Sequence, residues 1–127
     1  MSVFTHVFLG SNDLDKARHF YDATLAPLGL KYFGPMGDSG HLYGKDQPAF
    51  MITRPRDGKP ACFANGGTIG FAAVSREAVR QFHAAGVASG GTDEGEPGPR
   101  PVVPNAYGAY LRDPDGNKIC AFCFVPG

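Results

Sequence analysis

The chain has no tryptophan, no excess of either charge and only three cysteines, and the last two shortages each close a class of function. Its 12 basic and 12 acidic residues cancel. No basic cluster stands out, so there is no electrostatic footprint for nucleic acid and no polybasic anchor for a membrane surface. Apolar runs are short and broken by Gly or Pro, too short for a helix that spans a bilayer. The opening MSVFTHVFLG lacks a basic leader and a small-residue cleavage site, which sets a cytoplasmic expectation. Cys62, Cys120 and Cys123 are odd in number, and with no export signal reduced thiols are expected instead of a disulfide framework. CAFC has C-x-x-C spacing, but positions three apart in a strand point to opposite faces and cannot share one ion. Both thiols are expected to pack as small hydrophobes.

What is present is a unit that occurs twice. VFTHVFL (3 to 9) has strand composition; Asp13 then stands as a helix N-cap, followed by a stripe of Leu14, Ala17, Phe20, Tyr21 and Leu25 and a stop at Gly29. GTIGFAAV (67 to 74) is again strand-like, with Ser75 as N-cap, a stripe of Ala78, Val79, Phe82 and Val87, and Gly90 and Gly91 as the stop. A constant offset of 62 residues pairs Asp13 with Ser75, Ala17 with Val79, Phe20 with Phe82 and Gly29 with Gly91. After the first helix come KYFGPM, GHLYGK and PAFMITR; after the second come a Gly/Pro-rich stretch, NAYGAYLR and NKICAFCFV.

The pattern predicts a single α+β domain of two βαβββ modules whose curved mixed sheet surrounds a cleft, with helices on the opposite side. The first module spans about 1–54, a linker about 55–66 and the second module about 67–127. DPDGN (113 to 117) reads as a tight turn, and the strand after it alternates Lys118, Cys120 and Phe122 on one face with Ile119, Ala121 and Cys123 on the other. His41 and Tyr43 share a face, lining the cleft or facing solvent, whereas Tyr107 and Tyr110 point oppositely. His19 and His83 fall on helical stretches, as surface or packing positions.

The duplicated unit, the opening THVFLGSNDLDKARHFYDATLAPLGL and the closing YGAYLRDPDGNKICAF after GEPGPRP resemble the vicinal oxygen chelate superfamily, in its single-domain glyoxalase/bleomycin-resistance-like branch. Members that use a metal carry a His on the first strand, a carboxylate or similar residue on the fourth, a His on the fifth and a Glu on the eighth. The resemblance places these at His6, at Phe50 or Met51, at Thr68 and at Cys120. One of four positions keeps its ligand type, and the two-His, one-carboxylate triad of an extradiol dioxygenase is not met. Arg100 resembles a recurrent arginine at the cleft mouth, suited to an anionic or carbonyl-bearing ligand.

These residues imply metal-independent binding of a small, partly apolar organic molecule, with no cofactor, by a homodimer, since many relatives wall their clefts across a dimer interface. Two alternatives stay open: a glyoxalase-like lyase or isomerase using Zn, Ni or Fe, and a non-catalytic interaction domain. His6 and Cys120 are the candidates for proton transfer and nucleophilic chemistry, because the first and last strands of this fold approach one another around the cleft.

Overall fold

The computed structural model describes residues 3–127. The elements run β1 (Val7–Gly10), α1 (Leu14–Leu25), β2 (Lys31–Met36), β3 (Gly40–Gly44), β4 (Pro48–Thr53), then β5 (Ile69–Ala72), α2 (Arg76–Ala88), β6 (Thr92–Pro99), β7 (Tyr107–Arg112) and β8 (Lys118–Cys123). Hydrogen bonding divides the strands into two mixed sheets of four, ordered β1-β4-β3-β2 and β5-β8-β7-β6. The two βαβββ units thus have the same topology, with a parallel β1–β4 pair matched by a parallel β5–β8 pair.

Both helices start where the sequence places them. Asp13 and Ser75 sit in extended backbone and accept from the backbone N–H of Lys16 (3.1 Å) and Ala78 (3.0 Å). The repeat slips by one residue at the far ends. Gly29 (φ 81°) takes the left-handed conformation after α1, but Gly90 (φ 98°), not Gly91, does so after α2. The Gly/Pro-rich stretch forms β6, which is an edge strand and so needs few of its N–H groups; its register with β7 shifts on both sides of Gly95.

The helices cover one side of both sheets and enclose a single core. Phe20, Tyr21, Val79 and Phe82 from the helices meet Tyr43, Phe50, Ile52, Leu111, Ile119 and Ala121 from the strands, all buried. Phe50 and Phe71 join the two modules edge to face at 5.3 Å between centroids. His41 and Tyr43 share a face as expected, but it is the helix-covered one. The Tyr43 hydroxyl donates to Asp22 of α1 (2.7 Å), and His41 Nδ1 lies 2.9 Å from the Tyr32 hydroxyl. Docking of α1 over β3 decides this, and a two-residue spacing cannot.

The turn before β8 is more than a turn. The Asp113 carboxylate, 3% exposed, accepts from the Asp115 and Asn117 backbone (2.9 Å each), from the Asn117 side chain (2.9 Å) and from the Tyr21 hydroxyl of α1 (2.6 Å). Asn117 also donates to the Gly10 carbonyl at the end of β1 (2.9 Å), and Asp115 accepts from the Asn12 N–H (2.8 Å). Burial raises the Asp113 pKa despite these bonds. The stability this group contributes is therefore greatest in acid and falls as pH rises through its raised pKa. Replacing Tyr21 with Phe removes one charge-assisted bond across the modules. The expected cost is about 1.5–3 kcal/mol, read as a lower urea midpoint with an unchanged slope.

Candidate functional site

Strand alternation leaves one face of each sheet without a helix. In the first sheet Val7 and Leu9 pack toward the core, so Phe8 points the other way, beside its strand partner Met51. Phe50 is buried against Tyr21 and Phe71 on the core side, which removes it from the candidates and leaves Met51 as the fourth-strand position. In the second sheet Ile119, Ala121 and Cys123 face the core, and Cys120 lies on the helix-free face between Gly70 and Tyr110. Gly70 makes room for the thiol: a Cβ there would stand 3.3 Å from Cys120 Sγ.

His6 lies just before β1 and is exposed. Its Nδ1 is 2.9 Å from the Thr5 hydroxyl, and its ring stands edge-on to Phe8 at 5.4 Å. Thr68, its repeat counterpart, precedes β5 and is also exposed. His6 precedes a strand of the first sheet and Cys120 lies in the second, and no hydrogen bond joins them among the described residues. Burial pushes the Cys120 thiol up to about 11, only partly offset by the positive charges of Lys118 and Arg100. At neutral pH it is a thiol, and among the described residues no base is hydrogen-bonded to it. The donors at the four matched positions are an imidazole, a thioether, a hydroxyl and a neutral thiol, a set that does not fit Zn, Ni or Fe.

The helix-free face of the second sheet is aromatic instead. Tyr110 and Phe122 meet edge to face at 5.7 Å, and Phe124 stacks on Phe122 at 6.2 Å. Phe122 lies on Gly108, where any Cβ would come within 2.6 Å of its ring. The Arg100 guanidinium sits 5.8 Å from the Tyr110 ring and is anchored on the carbonyls of Glu96 (2.9 Å) and Gly98 (2.9 Å). With Val102 and Val103 these groups line a hollow of about 310 Å³. A larger hollow, about 840 Å³, opens beside Phe8, Met36, Thr53 and Arg54 under the linker residues Arg56 and Cys62. Asn12 ties that linker down through two bonds to Ala61 (2.7 and 3.1 Å). The Arg100 neighbourhood was legible in GEPGPRP, but Tyr110 and Phe122 carried no signal beyond their facing.

Residues 3–121 match the model of the Glyoxalase/Bleomycin resistance protein/Dioxygenase superfamily. The chain belongs to this superfamily. It is 50% identical to a glyoxalase/bleomycin resistance protein from Albidiferax ferrireducens T118, over 95% of this chain and 98% of that one, with a TM-score of 0.86. Two solved structures of lower identity share the fold. One is a lactoylglutathione lyase from Agrobacterium tumefaciens (21% identity, 96% and 93% covered, TM-score 0.66). The other is a glyoxalase-related enzyme from Fulvimarina pelagi (16% identity, 96% and 88% covered, TM-score 0.74). A comparison with curated proteins finds no match. Among the described residues no helix is long and apolar enough to cross a membrane.

The three thiols differ in access, and this orders their reactivity. Cys62 is exposed, whereas Cys120 and Cys123 are buried. Alkylation of the native protein near neutral pH, followed by peptide mass mapping, is expected to label Cys62 first. Cys120 should be labelled only after denaturation; rapid native labelling at Cys120 would show a thiolate there.

Proposed function

We propose that this superfamily member binds a small, partly apolar organic molecule with an anionic or carbonyl group, on the helix-free side of its sheets and without a metal ion. The observation that carries this reading is what stands at the positions the resemblance assigns to ligands. They hold Met51, Thr68 and Cys120, and an arginine lies over the Tyr110 ring, which pairs with Phe122. The apolar rings would take the body of the ligand, and Arg100, with part of its donor fork spent on carbonyls, would take its oxygen. A metal-dependent lyase or isomerase needs a donor set that these positions do not supply.

The reading includes a homodimer in the cytoplasm. Phe8 and Phe124 are 46% and 57% exposed on the helix-free faces, and Met36 lies at the rim of the larger hollow. A second copy laid over these faces would cover the apolar rings and wall the hollows.

Chelator-treated protein is expected to bind aromatic carboxylates saturably in calorimetry. Phe122→Ala should weaken binding by about tenfold, the equivalent of roughly 1.4 kcal/mol. A requirement for added zinc, nickel or iron, lost in His6→Ala, would overturn the metal-free reading. Cys120→Glu alone is expected not to bind zinc tightly at the cleft, because His6 and the new carboxylate would still lack a third ligand. Titration of this variant against wild type, with His6→Ala in the same background, checks it.

A further inference from the structure

A different constellation stands on the helix-covered side of the second sheet, at the corner where α2 meets β6. His83 of α2 is 7% exposed, and its Nε2 lies 2.8 Å from Oδ1 of Asp93 on β6. Glu96, on the same strand, completes a group in which one ligand atom from each residue lies within 4.8 Å of the others. The backbone that carries the two acids is braced. The Gly95 N–H donates to Asp93 Oδ1 (2.9 Å), and Arg100, from the opposite face, donates to the Glu96 carbonyl (2.9 Å).

Charge supplies an independent observation. The neighbouring acids are already neutralised, Glu94 by Arg112 (3.2 Å) and Glu77 by Arg80 (2.9 Å). Among the described residues no Lys or Arg pairs with Asp93 or Glu96. With no Lys or Arg at hand, a bound cation would serve as the countercharge of the two carboxylates beside the imidazole.

We propose that His83, Asp93 and Glu96 form a binding site for a divalent first-row transition ion, zinc foremost, that ties the edge strand β6 to α2. One imidazole and two carboxylates from two elements are a three-ligand zinc set, with the remaining position left to water. Bond lengths of about 2.0–2.2 Å require the donors to sit roughly 3–3.5 Å apart. His83 and Asp93 need to separate only slightly, and the exposed Glu96 side chain closes in by rotation. His83 then ligates through Nε2 as the neutral ring, with its proton on Nδ1, and the ion replaces the proton now shared with Asp93. The site is separate from the cleft positions His6 and Cys120, which lie on and before strands of the helix-free face.

The test uses tag-free, chelator-treated protein titrated with zinc in calorimetry and with cobalt(II) in visible absorption, with melting temperature followed in parallel. One equivalent should bind, with a cobalt spectrum of low coordination number and a raised melting temperature. Glu96→Gln, at an exposed position where folding is undisturbed, should weaken binding by more than about tenfold. His83→Gln should abolish it, while His6→Ala and Cys120→Ser leave it unchanged. Absence of saturable binding by the folded wild-type protein would overturn the proposal. So would binding that survives Glu96→Gln but is lost in His6→Ala, an outcome that would instead place a metal in the cleft.

Discussion

One buried carboxylate holds the two halves of this protein in register. Among the described residues Asp113 has no cationic partner, and a charge taken out of water is tolerated only when its lone pairs are filled. The turn that follows it fills three of them and Tyr21, from the other module, fills the fourth. That requirement draws the start of β8 against α1, and Asn117 carries the linkage on to the end of β1. A residue type favoured in turns for local reasons thus becomes the point at which the duplicated modules are fastened together.

Fastening on the helix-covered side leaves the other side open. Both helices pack against one core, so every strand residue of the opposite parity faces a surface without a cover of its own. In the first sheet that surface carries Phe8 and Met51; in the second it carries Cys120, Tyr110 and Phe122. Small residues make this possible. Gly70 admits the Cys120 thiol and Gly108 admits the Phe122 ring, and a side chain at either position would meet its neighbour. The superfamily topology is complete, and the chemistry on offer is that of the side chains on the open faces.

The same duplication shows how one position can be put to two uses. Tyr21 and His83 are repeat partners one helix apart, and each sends a polar tip out of a buried ring to an aspartate. Tyr21 reaches the buried Asp113 of the other module. His83 reaches Asp93 on the strand that follows its own helix, where the carboxylate is half exposed and Glu96 stands close by. The sequence marks both as positions on a helical stripe or beside it, but the partner, and so the consequence, depends on which strand is brought alongside.

Much was decided locally and could be read directly. Helix caps at Asp13 and Ser75, the 62-residue repeat and the alternation of Cys120 against Cys123 rest on hydrogen bonds or side-chain periods spanning a few residues. Whether Phe50 or Met51 faced the core, and that His41 lay under α1, depended on how the helices docked. The placing of His6 and Cys120 by different sheets followed from the division of the strands, and the nearness of His83 to Glu96 from a bulged edge strand. By itself the sequence determined the elements and their duplication. Only the tertiary structure decided which faces were open and which side chains met, because those outcomes depend on contacts between residues far apart in the chain.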